Sequence, residues 1–228
     1  MPGHFELPKR YSDTTTLKRH YERNRMSDFE NYAAYEQFTI NQDWAGICAL
    51  NSVNLDSFGT KKELGVLPNY LEEGEVVFGL TSGLLKQSGT SNSSDWGTNT
   101  WLVVLTNERF LFLDHALLTK SVDTQSVRHD KVQAVSASQG LLLGKIQVDL
   151  GARVIMIDNC QKATVAIIAD LANKWIRLEQ KRASLAAQGA SAARRTQEEA
   201  SSRLVERQLH NQERIIALLE EIRDRLGR

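Results

Sequence analysis

The stretch at residues 101–114, WLVVLTNERFLFLD, limits the folds open to this chain more than any other part of the sequence. Two apolar runs, at residues 101–105 and 110–113, flank the polar residues Thr106-Asn107-Glu108-Arg109. A short break of turn-forming residues between two apolar runs is typical of a β-hairpin. Because each run is apolar on both faces of a strand, the stretch predicts a hairpin inside a sheet that is covered on each side.

The sequence before this hairpin predicts one more strand and a loop. A short helix is predicted from Lys61 and stops before Pro68, and the turn Glu73-Gly74 then leads into a strand over residues 75–81. Residues 82–99, SGLLKQSGTSNSSDWGTN, are rich in Ser, Gly and Asn. This composition predicts a long polar loop outside the core, either functional or mobile.

Apolar and polar residues alternate repeatedly after the hairpin, which predicts further short strands. The clearest alternation is that of Ile146, Val148 and Leu150 with Gln147 and Asp149. The alternation resumes at residues 120–122 and 126–128, which we group together, and continues at residues 132–138, 146–150 and 153–157. Together with the earlier strands they make about seven, and their short connections favour an antiparallel meander that closes or bends to protect its edges.

The hydrophobic period changes from two to about 3.6 residues at Cys160, which predicts a helix laid against the sheet. Its apolar face consists of Val165, Ile168, Leu171, Ala172 and Trp175. Residues 183–197 are rich in Ala and Ser, and we interpret them as a weakly helical linker around Gly189.

A strong helical pattern returns at residues 198–228 and follows heptads. Position a holds Val205, Gln212, Leu219 and Leu226, position d holds Gln208, Ile215 and Ile222, and Ile216 and Leu218 widen the apolar stripe. Leu at a with Ile at d favours parallel coiled coils of more than two strands. The pattern therefore predicts a homo-oligomer of more than two chains, formed through Val205, Ile215, Ile216, Leu218, Leu219, Ile222 and Leu226. In the alternative, the helix folds back onto its own sheet, which the linker is long enough to permit.

Residues 1–60 form a region of mixed character. Ser12-Asp13 predicts the start of one short helix, and the capping-box spacing at Ser27 predicts a second helix through Tyr32 and Tyr35. The many aromatic residues are interpreted as anchors that dock this region onto a larger body. No firm element is predicted between residues 41 and 60. Acidic residues dilute the basic ones, so nucleic-acid binding is not expected.

The composition argues against several broad classes of protein. Lys+Arg and Asp+Glu number 28 each, so the chain as a whole has no field that would gather nucleic acid or an anionic membrane, which leaves only a local patch. No apolar run approaches the roughly 18 residues of a membrane span, and the N-terminus has no apolar signal core, so we expect a cytoplasmic protein. Cys48 and Cys160 lack neighbouring Cys or His residues, which predicts small core thiols rather than a disulfide or a metal site.

The sequence has no residue pattern typical of an enzyme, and it predicts no catalytic residue and no cofactor. His-Glu-x-x-His, Gly-x-Ser-x-Gly and paired Cys spacings are absent. Residues 140–145, GLLLGK, have one residue too few between the glycines for a phosphate-binding loop and precede a strand, so they predict a turn. Asp114-His115 and His129-Asp130 are adjacent pairs, and adjacent residues on a strand point to opposite faces, so neither pair predicts acid–base catalysis.

The order of seven strands and a helix resembles the pleckstrin-homology (PH) fold, and the residues resemble its YokE-like bacterial branch. The matching segments are LPNYLEEGE, WLVVLTNERFLFLD, VRHDKVQAVSASQGLLLGKIQVDL and ARVIMID, within about residues 61–182. The Thr106–Arg109 turn and GLLLGK are the most specific parts. The resemblance implies a mainly β, seven-stranded antiparallel barrel capped by a C-terminal helix, which serves as a binding or oligomer-forming module rather than an enzyme.

The same resemblance bears on lipid binding. PH domains that bind phosphoinositides use a Lys before the first loop and a Lys/Arg-x-Arg on the next strand. Lys86 could supply the first cation, but residues 100–103 carry none. Because a polyphosphate headgroup needs several converging cations, binding in the usual pocket is not implied.

These observations divide the chain into four segments. Residues 1–60 are a helical, aromatic-rich region, residues 61–182 a PH-like domain expected to fold by itself, residues 183–197 a linker, and residues 198–228 a coiled-coil helix. The resulting hypothesis is a non-enzymatic cytoplasmic scaffold whose partners are copies of itself and an unidentified protein. The alternative is a peripheral membrane module that uses the basic N-terminal segment and the 82–99 loop, with Lys86 and Trp96. That loop has one basic residue, whereas stable attachment needs several at about 1 kcal/mol each, so a membrane partner is not favoured.

Overall fold

The computed structural model of the chain describes residues 29–89, 93–115 and 122–226, without the side chains of residues 87–98 and 224–226. The strands within these ranges are β1 Val77–Gly89, β2 Ser93–Thr106, β3 Arg109–His115, β4 Val122–Arg128, β5 Ala134–Gln139, β6 Leu143–Asp149 and β7 Arg153–Gln161. The α-helices are α1 Tyr32–Ile40, α2 Trp44–Leu50, α3 Lys61–Val66 and α4 Lys162–Leu226. The chain divides into two compact units, Met1–Ile176 and Arg177–Arg228.

The seven strands of the described residues form one sheet in the order β4-β3-β2-β1-β7-β6-β5, and each neighbouring pair is antiparallel. This confirms the predicted seven-stranded antiparallel fold with a helix after its last strand. The predicted hairpin is β2–β3, in which Leu102 lies opposite Leu113 and Leu105 opposite Phe110. Leu102 and Leu105 point to opposite faces of the sheet, and neither is accessible to solvent. The hairpin is therefore covered on both faces, as predicted.

The prediction that residues 82–99 form a polar loop is wrong, because β1 and β2 include most of that segment. Its small residues occupy crowded positions. The Ser82 hydroxyl lies 2.7 Å from the Thr60 hydroxyl, and a Cβ at Gly83 would lie 2.6 Å from Ile157 Cγ2. The Ser and Gly residues that suggested an exposed loop are therefore explained in part by crowding. Small side chains are required where β1 lies close to β7 and to the segment before α3.

The strand β1 is shared between two parts of the sheet. It pairs with β2 between Val77 and Ser88, and with β7 only between Leu84 and Gly89. Before Leu84, no strand of the described residues lies on the β7 side of β1. Backbone groups in this part of β1 consequently need partners other than a neighbouring strand.

Side chains from the N-terminal region supply those partners. Thr39 Oγ1 accepts a hydrogen bond from the Val77 N–H at 3.0 Å. The amide of Asn51 donates to the carbonyl oxygen of Phe78 at 2.7 Å. The region before α3 is therefore bonded directly to the sheet.

The N-terminal helices differ from the prediction in their positions. The helix α1 begins at Tyr32, after Asn31 in a left-handed conformation with a φ of 59°, and not near Ser27. Ser27 and the helix predicted from Ser12-Asp13 lie outside the described residues. The helix α2 occupies a stretch where no element was predicted; Asp43 caps it by accepting a hydrogen bond from the Gly46 N–H at 2.8 Å. Its sequence, WAGICAL, is too short to show a helical period.

An aromatic cluster connects the N-terminal region, the sheet and α4. Phe78 lies at a register shift of β1, and its ring centroid is 4.5 Å from that of Phe29 and 4.4 Å from that of Tyr35. Phe29 also stacks on Trp175 of α4, with centroids 4.7 Å apart. All four side chains are buried. These contacts oppose the expectation that residues 61–182 fold by themselves, because two members of the cluster precede residue 61.

The helix α4 begins at Lys162, after the end of β7, and not at Cys160. Four of its predicted apolar residues, Val165, Ile168, Ala172 and Trp175, are fully buried, whereas Leu171 is half-buried. Residues 183–197, interpreted as a weakly helical linker, are helical throughout, so the two helices predicted around them are one.

The edge strand β5 is bonded to α4 through one side chain. The Val135 N–H donates to the Asn173 side-chain oxygen at 3.0 Å, and the Asn173 amide donates back to the Val135 carbonyl oxygen at 2.6 Å. Both backbone groups of Val135 are thus satisfied by a carboxamide that replaces the peptide group of a further strand.

Removal of residues 1–60 is expected to abolish cooperative unfolding of the sheet. The deletion exposes Phe78 and Trp175 and removes the burial of Phe29, Tyr35 and other large side chains, each of which contributes about 1.5–3 kcal/mol. The summed loss is comparable with the whole stability of a typical domain, about 5–15 kcal/mol. Thermal melting followed by circular dichroism tests this. The matched control begins at Phe29 and should melt cooperatively; equal melting of the two shortened chains would contradict the prediction.

Candidate functional site

Arg109 and Glu75 form a buried ion pair beside the β2–β3 turn. Arg109 Nε and Nη2 each donate to a different carboxylate oxygen of Glu75 at 2.9 Å, and the side chain of Glu75 is inaccessible to solvent. Nη2 also donates to the carbonyl oxygen of Tyr70 at 2.9 Å, and Nη1 lies 3.2 Å from Glu72 Oε1. The hydrogen bond to Glu75 raises the pKa of Arg109 against the opposing effect of burial. The guanidinium therefore remains charged.

The β2–β3 turn is bonded to the same pair. The Thr106 hydroxyl donates to Glu75 Oε1 at 2.7 Å and accepts from the Arg109 N–H at 3.0 Å. Asn107 Oδ1 accepts from the Val76 N–H at 2.9 Å, and the Asn107 N–H donates to the Val76 carbonyl oxygen at 3.0 Å. The Thr-Asn-Glu-Arg turn and the residues before β1 therefore form one hydrogen-bonded unit. The charged groups of Arg109 and Glu75 are already bonded to other groups of the protein, so we assign this unit a structural role.

The residues predicted as a ligand or lipid loop lie on strands. Lys86 is in β1, with Nζ 3.8 Å from Asp158 Oδ2, and Lys145 Nζ lies 3.3 Å from Asp158 Oδ1. Trp96 is in β2, but its side chain lies outside the described residues. Lys86 thus shares one carboxylate with Lys145, and residues 100–103 of β2 add no cation. The structure does not support the loop site as it was predicted.

A cavity of about 340 Å³ lies where the segment before α3 meets β1, β6 and β7. Its walls include Asp56, Phe58, Leu84 and Leu143. None of the described residues around it is Lys, Arg or His, and the Asp56 carboxylate already accepts from the Phe58 and Ser82 N–H groups at 3.1 and 3.3 Å. The cavity therefore lacks the converging cations that a phosphorylated headgroup requires.

The motifs considered for catalysis have structural roles. His129 is buried in a short 3₁₀ helix, with Nε2 2.8 Å from the Thr106 carbonyl oxygen and its ring stacked on Trp175. The Gly140 N–H donates to the Leu143 carbonyl oxygen at 2.8 Å and closes the β5–β6 turn. The turn predicted at residues 140–145 is therefore present at its start, whereas Gly144 and Lys145 belong to β6. In the parts of the chain that the structure describes, no group of His, Cys, Asp and Glu could hold a metal ion. No described helix combines the length and apolar character of a membrane span.

The two cysteines are buried free thiols. Burial raises the pKa of Cys48 to about 11, and the nearby charge of Asp56 adds to the effect. Burial likewise raises the pKa of Cys160 to about 12, with further contributions from Asp56 and Asp158. Since the thiolate is the nucleophilic form, neither thiol is suited to catalysis near neutral pH.

The seven residues predicted to mediate oligomerisation lie on α4, and the six whose side chains are described are exposed. The side chains of Val205, Ile215, Ile216, Leu218, Leu219 and Ile222 are 52–60% exposed. Leu226 belongs to the helix, but its side chain lies outside the described residues. The structure adds Leu204 and Leu209, which are 61% and 54% exposed. These two residues occupy positions g and e of the same heptads, so the pattern could have identified them.

Replacing Arg109 with Met is expected to lower the free energy of unfolding by about 3–5 kcal/mol, because the buried Glu75 carboxylate loses its counterion. The matched control is Arg128→Met. Arg128 pairs with Glu108 at 3.3 Å and is 58% exposed, so its loss should cost at most about 1 kcal/mol. Urea unfolding measures both changes. Similar small losses for the two variants would show that the buried pair is not a main anchor of the turn.

Both thiols are expected to react slowly with iodoacetamide in the folded protein. A pKa near 11 leaves about one thiol in a thousand ionised at pH 8, and burial restricts access further. Mass spectrometry should show little labelling of Cys48 and Cys160 in buffer and rapid labelling of both in denaturant. Fast modification of either thiol in the folded chain would contradict the raised pKa values.

The amino-acid sequence was compared with models of known protein families and with curated proteins. The family model described as “Bacterial PH domain” matches residues 71–174. No curated protein matches the chain.

Three solved structures that are similar to the chain contain PH domains. The Vps36 N-terminal PH domain is 14% identical, with a TM-score of 0.38 over 49% of this chain and 86% of that chain. The PH domain of USP37 is 9% identical, with a TM-score of 0.33 over 43% of this chain and 96% of that chain. A DUF1696 family protein with a pleckstrin-homology domain from Shewanella loihica PV-4 is 17% identical, with a TM-score of 0.32, covering 55% of this chain and 92% of that chain.

The family-model match spans the whole sheet and the first part of α4. The resemblance predicted from the Thr106–Arg109 turn and the GLLLGK segment is confirmed at the level of the family, whereas the YokE-like subgroup stays a prediction. Residues 71–174 of this chain belong to the bacterial PH domain family.

Proposed function

We propose that this protein is a non-enzymatic cytoplasmic scaffold in which α4 assembles several copies of the chain. Each copy then presents its bacterial PH domain to a further protein. The PH domain supports a role in binding, and the motifs considered for catalysis have structural roles. The observation that carries the proposal is the exposed apolar stripe of α4.

The stripe supports self-association because its side chains are in unfavourable contact with water. Six of the predicted residues and two more leucines on α4 are more than half exposed. Full burial of one Leu or Ile side chain contributes about 1.5–3 kcal/mol. Further copies of the helix bring matching apolar residues to this stripe, since identical heptads align in register.

The heptad positions favour an assembly of more than two chains. Leu219 at position a alternates with Ile215 and Ile222 at position d, and β-branched side chains at d pack poorly in a parallel dimer. Ile216 at e and Leu218 at g widen the stripe beyond what one neighbour covers. Each helix therefore buries its apolar residues best when it contacts two others.

The membrane alternative has lost one of the two features on which it was based. It used the basic N-terminal segment, whose Lys and Arg residues lie outside the described residues, and a loop at residues 82–99, a segment that lies largely in β1 and β2. Lys86, the only basic residue of the segment, lies near the Asp158 carboxylate. Nucleic acid is not proposed as a partner, because the chain has a formal net charge of zero.

The full chain is expected to have a molar mass of more than two chains in size-exclusion chromatography with light scattering. Combining Ile215→Asp and Leu219→Asp should dissociate the assembly, because each chain would bring two charges into the buried seam. The melting of the sheet should remain cooperative. The measurement is the molar mass of the full-length variant at several concentrations.

The matched control combines His210→Asp and Ala217→Asp, which place the same two charges at position f, on the opposite side of the helix. This variant should retain the mass of the natural chain. A monomeric natural chain, or equal dissociation of the two variants, would contradict the proposal.

A further inference from the structure

The turn between β5 and β6 exposes three leucines in succession. Leu141 is 91% exposed, Leu142 81% and Leu143 48%. Tight turns normally carry Gly, Asn, Asp, Ser or Pro, whose side chains suit the backbone and the solvent. Three adjacent exposed leucines at the tip of a hairpin are therefore unusual for a turn that only connects two strands.

The fold does not require leucine at these positions. The glycines on either side provide the special geometry: a Cβ at Gly140 would lie 3.0 Å from the Leu143 carbonyl oxygen, and one at Gly144 only 2.7 Å from Val165 Cγ1. The inward-facing residues of β6, such as Ile146, are already fully buried. Leu141 and Leu142 consequently contribute little to the core, and polar residues would serve the turn equally well.

A fourth apolar side chain extends this surface. Phe58 is 83% exposed, and it lines the same cavity as Leu143. The backbone around Phe58 is held by Asp56, which accepts a hydrogen bond from the Phe58 N–H at 3.1 Å. We define the leucine tip as residues Phe58, Leu141, Leu142 and Leu143.

Three basic residues lie on one flank of the leucine tip. Lys145 lies opposite Ser138 in the same hairpin, and Gln139 donates to the carbonyl oxygen of the exposed Lys162 at 3.2 Å, which places α4's first residue beside the hairpin. Lys145 and Lys86 share the single carboxylate of Asp158. This flank of the tip therefore carries the cations Lys86, Lys145 and Lys162 and the anion Asp158. A second anion, Asp56, lies beside Phe58.

We propose that the leucine tip docks on the surface of an anionic phospholipid bilayer. Leu141 and Leu142 enter the boundary between headgroups and acyl chains, and Lys145 and Lys162 lie at the level of the lipid phosphates. Interfacial binding of this kind depends on the apolar area that is buried and on the attraction between basic residues and anionic lipids.

The shape of the tip favours a bilayer over a folded protein. A stable protein interface buries about 800 Å² on each partner and needs matched surfaces, whereas the tip offers a few side chains at a turn. A bilayer adapts to such a projection. The proposed surface also differs from the segment at residues 82–99, and it does not depend on self-association through α4.

Sedimentation of the full chain with vesicles tests the docking. Vesicles of equimolar phosphatidylcholine and phosphatidylserine should bind the natural chain, and pure phosphatidylcholine should bind it more weakly. The variant that combines Leu141→Ser and Leu142→Ser should lose about tenfold or more in apparent affinity. The control combines Ile40→Ser and Leu185→Ser, which also removes two exposed apolar side chains, and should bind as the natural chain does.

A fluorophore sensitive to polarity gives a second measurement. Attached to Leu142→Cys, it should shift its emission to the blue when mixed-lipid vesicles are added; attached to Ser136→Cys in β5, it should not. The buried thiols of Cys48 and Cys160 keep the label at the introduced site.

Absence of vesicle binding by the natural chain would overturn the proposal, as would unchanged binding by the double serine variant. A lower molar mass for that variant in the absence of lipid would also overturn it, because the leucine tip would then be a contact between copies of the chain. Loss of binding by the serine variant alone, with its mass and melting unchanged, is the outcome that supports docking.

Discussion

The ion pair of Arg109 and Glu75 is the interaction on which the arrangement of the strands depends. It joins the β2–β3 turn to the residues that lead into β1, which are separated by about thirty positions in the sequence. Burial of two charges is unfavourable unless their hydrogen-bonding groups are satisfied, and here Thr106, Tyr70 and Glu72 complete the set. The pair therefore fixes where β1 begins relative to the hairpin, and with it the register of the sheet.

The strand β1 in turn explains why the N-terminal region packs on the sheet as part of the same folded unit. A strand with a neighbour along only part of one edge leaves backbone groups to be satisfied. Thr39, Asn51 and Asp56 bond to backbone groups of β1, and the aromatic cluster around Phe78 fixes the position of α1, which carries Thr39. The bacterial PH domain of this chain is thus covered by a segment that precedes the family match.

Local patterns predicted those elements whose partners impose a clear period. The strand β6 and the buried face of α4 have such periods, and the heptads of α4 identified most of its exposed stripe. The β2–β3 hairpin was predicted instead from two continuous apolar runs around a polar turn. The other elements depend on contacts between residues that are distant in the sequence, which local patterns do not show. Ser82 and Gly83 are small because other segments approach them, and α2 is too short to show a period. The leucine tip was recognised only as a turn, because sequence gives its geometry through Gly140 but not the exposure of its side chains.

The carboxamide of Asn173 on Val135 has a consequence for chains held close together. An assembly through α4 would raise the local concentration of sheets to about the millimolar range, where a free strand edge becomes a template for uncontrolled strand addition between neighbours. At Val135 the Asn173 side chain already occupies the N–H and the carbonyl oxygen that an incoming strand would use. One asparagine on the helix thereby occupies two hydrogen-bonding groups that β5 would otherwise offer to a strand of another chain.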